Sequence, residues 1–275
     1  MLGLALALAL PLTGCARPPA GAAGLPGAHP ASVRAASARP PDPAATLPPY
    51  RRWGLAAPLT PAPAPSAAPA APPAARDRAG RPLAPVVDRV PTRDPVVFLT
   101  FDDGAERDPR FVDLVRELRL PVSLFLTADV TGPGYAHFAR LRSVGADLQN
   151  HTLHHTALRG LPYAGQRAEI CGQQDKLAAR FGLRPRYLRP PYGTYDTTTR
   201  RAAADCRIAA LVLARAVMGP TGLTFTDGPH RLRPGDVVAV DPDLATGPGL
   251  RERTVRLLRA VQEAGLTVGR LADRL

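Results

Sequence analysis

The distribution of proline divides this chain into two parts with different folding requirements. Of the 33 prolines, 21 precede Val96. The chain before that point consists mostly of Pro, Ala, Gly and Arg, a composition that buries too little apolar surface to offset the entropy of ordering the backbone. Runs such as Pro61–Pro65 favour extended polyproline conformations. We therefore expect a disordered Pro/Ala/Arg-rich tether at residues 15–94 and a folded domain at residues 95–275.

The amino terminus resembles a bacterial lipoprotein signal. A short apolar stretch, Leu2–Leu12, is followed by Thr13-Gly14-Cys15. The resemblance implies a signal peptide at residues 1–14, and a lipid on Cys15 that anchors the protein to a membrane surface outside the cytoplasm. No Lys or Arg precedes the apolar stretch, so an ordinary secreted protein with an unmodified Cys15 remains the alternative.

The charge of the chain is strongly positive but dispersed. The formal net charge is +12, and a single Lys accompanies the many arginines. A nucleic-acid-binding surface would concentrate such charge, so we expect no nucleic-acid partner, whereas an anionic cell wall suits a basic protein. No apolar run reaches the roughly 20 residues that a spanning helix needs, which argues against an integral membrane protein.

From Val96 onward, short apolar runs alternate with segments of helical periodicity. Strands are predicted at Val96–Phe101, Val122–Leu126, Asp147–Asn150, Tyr187–Leu188, Ile208–Leu213, Val237–Val240 and Leu266–Val268. Helices are predicted at Pro109–Leu118, Tyr135–Val144, Gln166–Phe181, Thr197–Ala204 and Leu250–Ala264. This alternation predicts an α/β fold, a deformed (β/α) barrel of about seven parallel strands. Functional residues of such barrels gather at the carboxyl ends of the strands.

Two adjacent carboxylates, Asp102 and Asp103, follow the first of these strands. Neighbouring anions repel each other unless a cation or a shared proton relieves them. If a metal ion takes one carboxylate, the other can act as a base beside it. The alternative is a simple turn, since Asp-Asp-Gly is common in loops.

Three of the six histidines lie within five residues, at His151, His154 and His155. His151 and His155 are four residues apart, so on a helical turn both imidazoles would face the same way. Two histidines and one carboxylate form a three-ligand set that leaves room for water, which is typical of catalytic zinc. A surface histidine cluster is the alternative, and His154 points elsewhere on this geometry.

A rigid turn, Arg189-Pro190-Pro191-Tyr192-Gly193, follows another predicted strand. Its prolines fix the backbone, so a preset N–H group in the turn could stabilise an oxyanion. The alternative is a loop that proline merely stiffens.

Together and in this order, the TFDDG, HTLHH and RPPYG motifs resemble those of the polysaccharide deacetylases with a NodB-homology domain, carbohydrate esterase family 4. The resemblance implies metal-dependent removal of acetyl groups from an N-acetylated polysaccharide, such as peptidoglycan or a chitin-like polymer. It implies that zinc or a similar divalent ion is held by Asp103, His151 and His155. It further implies that Asp102 is the general base, that Arg189 orients Asp102, and that the backbone N–H of Tyr192 stabilises the oxyanion.

The chain departs from this family at two places. Members usually carry a Trp and an Asp after the fifth strand, where this chain has Leu213–Met218. Members also end a later strand in Leu-x-His, and Asp241 stands where that general-acid histidine is expected. Either Asp241 or His230 in the preceding loop could supply the proton. The other hypothesis is a catalytically impaired homologue that binds cell-wall glycan without turnover.

Two cysteines remain if Cys15 is lipidated. Cys171 lies on the helix after the histidine motif, and Cys206 lies at the end of the helix after the proline turn. These helices belong to neighbouring crossover units, and export favours oxidation, so we predict a disulfide between them. Two separately buried thiols are the alternative.

Overall fold

The computed structural model describes residues 47–66, 75–104, 107–241 and 249–275. Cys15 and the expected signal peptide lie outside the described residues, so both stay predictions. Among the described helices, none has the length and apolar character needed to cross a membrane.

The elements of the described chain alternate between strands and helices. The strands are β1 (Ala75–Arg76), β2 (Pro82–Leu83), β3 (Val86–Val87), β4 (Val96–Phe101), β5 (Val122–Leu126), β6 (Asp147–Asn150), β7 (Tyr187–Leu188), β8 (Ala210–Val212), β9 (Ala216–Met218), β10 (Leu223–Phe225), β11 (Val237–Val240) and β12 (Thr267–Val268). The helices are α1 (Pro49–Arg52), α2 (Pro109–Glu117), α3 (Ala128–Thr131), α4 (Tyr135–Ser143), α5 (Tyr163–Phe181), α6 (Thr197–Asp205) and α7 (Leu250–Glu263).

One curled sheet organises the fold. Its strand order is β10-β9-β11-β4-β5-β6-β7-β8-β3, and β12 also pairs with β4. Every pairing in this sheet is parallel except β9 with β10. The predicted α/β fold with a deformed barrel is confirmed, as a curled and mostly parallel sheet. All seven predicted strands and five predicted helices occur, with ends that differ by at most three residues.

The central strand β4 divides the apolar core into two layers. Side chains alternate across a strand, so Val97 and Leu99 pack with the helices on one face while Phe98 packs on the opposite face. The buried Thr100 has the same parity as Phe98, and two residues further on so does Asp102. This alternation explains why Asp102 leaves the strand on the inner side of the curled sheet.

The described residues 47–66 are packed against the domain, which corrects the expectation of a disordered tether for this segment. Leu55 is buried in the main core cluster. Trp53 donates from Nε1 to Glu117 on α2 at 2.8 Å, and Arg259 on α7 donates to the carbonyl of Gly54. These isolated apolar residues gain enough contact with α2 and α7 to order a proline-rich chain whose backbone has little entropy to lose.

The described residues 75–94 contribute to the barrel, so the expected domain start at residue 95 is too late. Strand β3 pairs with β8 at the end of the sheet. The carbonyl of Asp88 then accepts from Val237 on β11, and Val90 donates to Gly235 just before that strand. This segment therefore bridges β8 and β11 and brings Asp88 to the inner side of the sheet.

A disulfide links Cys171 on α5 to Cys206 at the end of α6, with 5.1 Å between the Cα atoms. The two helices pack side by side, as expected for neighbouring crossover units. The covalent link ties the helix after the histidine loop to the helix after the proline turn.

Candidate active site

A cavity of about 660 Å³ lies at the carboxyl ends of the parallel strands. Its lining includes seven of the eight residues that the sequence offers for a catalytic or metal-binding role, with His230 as the exception: Asp102, Asp103, His151, His155, Arg189, Tyr192 and Asp241. A larger groove, of about 930 Å³, lies between residues 57–62 and the start of β12 and contains none of them. The chemistry of the side chains, and not the size of the cavity, identifies the candidate site.

Asp103, His151 and His155 converge on one point. The Nε2 atoms of His151 and His155 lie 3.3 Å and 3.1 Å from Oδ1 of Asp103. One ligand atom from each residue lies within 4.8 Å of the others. Oδ1 of Asp103 is buried, yet no described residue donates to it in hydrogen-bond geometry. A buried acceptor faced by two imidazole nitrogens fits a divalent cation, because one ion would satisfy all three groups.

The tautomer of His151 suits metal binding. Its Nδ1 lies 2.7 Å from the backbone carbonyl of Arg189. A carbonyl can only accept, so Nδ1 carries a proton and Nε2 is the nitrogen that faces Asp103 and is placed to bind an ion. The ring is almost fully buried, which fixes this orientation.

The histidine motif is a loop in the structure, and the helical turn assumed from its spacing is wrong. Thr152 and His155 both adopt left-handed backbone conformations, with φ of 71° and 54°. The Asn150 side chain holds the loop, since Oδ1 accepts from the N–H of Thr152 at 2.8 Å and Nδ2 donates to Ile170 on α5 at 2.9 Å. The two imidazoles nevertheless meet at Asp103, because the reversed backbone turns His155 back towards His151.

Electrostatics favour the ionised form of Asp103. Burial alone would raise the pKa of this carboxyl, but its interactions with His151 and His155 outweigh burial and hold the pKa well below its ordinary value. The same carboxylate raises the pKa of His155 above its ordinary value. Asp103 is therefore a negatively charged ligand at neutral pH, and a cation in this position would replace the proton that the imidazole attracts.

Arg189 holds Asp102. Its Nη1 donates to Oδ1 of Asp102 at 2.7 Å and to Oγ1 of Thr100 at 2.8 Å. The guanidinium is fixed from behind by the carbonyls of Val212 and Leu213, at 3.0 Å from Nε and 3.4 Å from Nη2. Backbone carbonyls at the end of β8 thus take the place of the carboxylate that the family resemblance leads one to expect there.

Tyr192 lies at the mouth of the cavity in a left-handed conformation, with φ of 59°. Its side chain is 72% exposed, and its ring lies 4.8 Å from that of His155. Hydrogen bonds within the turn are donated by Gly193 and Thr194 to the carbonyls of Pro190 and Pro191.

The two candidates for the general acid differ in position. Asp241 follows β11 and lines the cavity, and its Oδ2 lies 3.8 Å from Nη1 of the buried Arg253. His230 is not among the residues that line this cavity; it is exposed and stacks on Phe225, with 6.0 Å between ring centroids. The geometry favours Asp241.

Two further carboxylates, Asp88 and Asp227, line the cavity, and no sequence motif marks them or the residues that hold them. Arg215 binds both carboxylate oxygens of the fully buried Asp236 at 2.6 Å, and it also donates to the carbonyls of Asp227 and Arg231. These hydrogen bonds from Arg215 fix the loop that contains Asp227. Asp227 and Asp88 both line the cavity. The sequence feature that indicates this buried ion pair is the position of Arg215 between the apolar residues of β8 and β9, where an unpaired charge would be costly.

Comparison with known proteins gives the chain a family context. Residues 89–211 match the family model described as polysaccharide deacetylase. An uncharacterised protein of Streptomyces coelicolor is 66% identical over 197 residues, which cover 71% of this chain and 79% of that protein. A chitooligosaccharide deacetylase of Sinorhizobium fredii is 27% identical over 209 residues, which cover 66% of this chain and 93% of the relative.

Solved structures share the fold. A family 4 carbohydrate esterase from Bacillus anthracis superposes with a TM-score of 0.56 at 18% identity, over 68% of this chain and 85% of that one. A second protein of Bacillus anthracis, described as a pseudoenzyme of the same family, superposes with a TM-score of 0.56 at 16% identity, over 66% of this chain and 67% of that one. The curled sheet is therefore the fold of these esterases.

The histidine pair offers a matched test of metal binding. We expect His155→Ala to weaken zinc binding by at least about 100-fold, since it removes one of three ligands. His154→Ala should leave the affinity unchanged, because that ring is exposed and contacts Glu169 outside the cavity. Calorimetric titration of the full chain with Zn²⁺ measures both. Equal affinities in the two variants would show that the ion binds elsewhere.

Proposed function

Because this chain carries a polysaccharide deacetylase domain, we propose that it hydrolyses N-acetyl groups of a cell-wall or related polysaccharide, such as peptidoglycan or a chitin-like polymer, with zinc as its cofactor. The observation that carries the proposal is that one cavity combines three ligand residues with a carboxylate that an arginine holds beside them. Asp103, His151 and His155 would hold the ion, which when bound supplies Lewis-acid polarisation of the acetyl carbonyl.

Asp102 is the general base in this proposal. Arg189 engages Oδ1, so the second carboxylate oxygen, Oδ2, is the atom that we assign as the acceptor of the proton from the attacking water. Thr100 and two backbone carbonyls hold the guanidinium, and the guanidinium therefore holds the carboxylate in one orientation. Asp102 follows β4 on the inner side of the sheet. It therefore lines the same cavity as Asp103, but it contacts Arg189, whereas Asp103 contacts the two histidines.

The oxyanion that forms when water adds to the acetyl carbon needs a donor. We assign this role to the backbone N–H of Tyr192, since the hydrogen bonds within the turn come from the next two residues and the turn borders the cavity. The left-handed backbone at Tyr192 fixes the direction of this N–H.

The leaving amine needs a proton, and Asp241 is the group that we assign to deliver it. It lines the cavity directly after β11, the strand that pairs with β4, and His230 lies outside the lining of this cavity. Proton transfer from a placed side chain contributes about 10²–10⁴ in rate, so turnover depends strongly on this group.

A second function, glycan binding with impaired turnover, has a specific observation in its favour. Asp241 stands where the family resemblance leads one to expect a general-acid histidine, and its carboxylate lies 3.8 Å from the guanidinium of the buried Arg253. In that case the metal site and the cavity would bind the polymer without releasing acetate.

We also propose that the protein acts outside the cytoplasm. The Cys171–Cys206 disulfide suits an oxidising compartment. A lipid on Cys15 would hold the domain at the membrane surface, and without that lipid the protein would be secreted.

Acetate release tests the proposed activity. We expect the zinc-loaded full chain to release acetate from N-acetylglucosamine oligomers or peptidoglycan, and Asp102→Asn to lower kcat by about 10²–10⁴ because the base is lost. Asp175→Asn is the matched control, since Asp175 is exposed on α5, lies outside the cavity lining and pairs with Arg184. No release by the zinc-loaded wild type, together with retained binding of the oligomer, would establish the second function instead.

The identity of the acid is tested separately. We expect Asp241→Ala to lower kcat by about 10²–10⁴ with a smaller change in KM, and His230→Ala to leave kcat within about twofold. Steady-state kinetics on the same oligomers measures both parameters. If Asp241→Ala retains the wild-type kcat, the assignment of Asp241 is wrong.

A further inference from the structure

Thr127 lies at the junction of the two loops that carry the metal ligands. It follows β5, precedes α3 and is completely buried. Its backbone N–H donates to the carbonyl of Asp103 at 3.1 Å. Its hydroxyl donates to the carbonyl of His151 at 2.9 Å. A single residue thus binds the backbone of two of the three ligand residues.

The use of this hydroxyl is unusual for its position. Thr127 is the N-cap residue of α3, and a threonine there normally accepts a hydrogen bond from an amide of its own helix. Thr127 makes no such bond. The hydroxyl donates to the histidine loop instead. Helix α3 therefore has no side-chain cap at its N-terminus, and Thr127 contacts the site.

The amides that follow Thr127 extend the same connection. Ala128 donates to the carbonyl of Thr152 at 3.4 Å, and Asp129 donates to that of Leu153 at 3.1 Å. The hydroxyl of Thr131 lies 3.4 Å from the carbonyl of Asp103. The start of α3 is therefore bonded along the histidine loop on one side and to the Asp103 turn on the other.

This connection matters because the ligand loops adopt unfavourable backbone conformations. Asp103, Thr152 and His155 all have left-handed φ values, of 64°, 71° and 54°. Left-handed conformations of residues other than glycine are strained and persist only when the surrounding structure fixes them. The bonds from Thr127 fix Asp103 and His151 relative to each other, at the distance that a shared ion requires.

We infer that Thr127 is a positioning residue for the metal site, and that its hydroxyl sets the affinity for the ion by holding the His151 loop against the Asp103 turn. This inference rests on the proposed metal site and adds a residue that does not touch the ion. Groups that orient metal ligands typically change metal affinity by about 10–100-fold when they are removed.

The test compares three variants of the full chain. Thr127→Val keeps the shape of the side chain and removes the hydroxyl, and Thr127→Ser restores the hydroxyl. Thr254→Val is the matched control: Thr254 is equally buried, and its hydroxyl donates at 2.7 Å to the carbonyl of Leu250 within α7. Zinc affinity is measured by calorimetric titration, and the Tm of each metal-free variant is measured beside it.

We expect Thr127→Val to weaken zinc binding by about 10–100-fold, Thr127→Ser to stay within about threefold of wild type, and Thr254→Val to bind as wild type although its Tm falls. If Thr127→Val proves unfolded, Thr127→Ala replaces it. Wild-type zinc affinity in the hydroxyl-free variant overturns the inference. An equal loss of zinc affinity in Thr254→Val also overturns it, because the loss would then come from lower stability of the whole domain. A wild-type chain that binds no zinc is a distinct result and contradicts the proposed function itself.

Discussion

Arg189 is the residue on which the rest of the site depends. Its guanidinium holds the carboxylate of Asp102, and its backbone carbonyl accepts the Nδ1 proton of His151. The first bond orients the proposed base, and the second occupies Nδ1 of His151, so that Nε2 is the nitrogen that faces Asp103. Because the side chain is nearly fully buried and has a further hydroxyl and carbonyl as acceptors, it keeps one position. The proposed base and the candidate metal site are therefore positioned by the same residue.

This arrangement also resolves the repulsion between adjacent carboxylates. Asp102 and Asp103 lie next to each other in sequence, but the reversed backbone at Asp103 turns the two side chains to different partners. Asp102 faces a permanent cation, and Asp103 faces two imidazoles that lower its pKa. Each carboxylate thus contacts a separate partner group, as the proposed mechanism requires if one is to bind an ion while the other accepts a proton.

The sequence predicted most of the fold and the content of the site, because both follow from local patterns. Short, nearly continuous apolar runs located β4 and its neighbours, and the polar residues after them proved to share one cavity. Two features escaped this reasoning. The ordering of Trp53 and Leu55 depends on contacts with α2 and α7 that composition does not reveal. The buried Arg215–Asp236 pair joins residues 21 apart, and no local pattern reveals such a pairing.

The central claim is that the three ligand residues share one ion in the cavity beside Asp102. Diffraction from crystals of the zinc-loaded chain, collected on both sides of the zinc absorption edge, tests it most directly. We expect one anomalous peak at about 2.0–2.2 Å from an oxygen of Asp103 and from Nε2 of both His151 and His155. A peak elsewhere, or no peak between Asp103 and the two imidazoles, would contradict it.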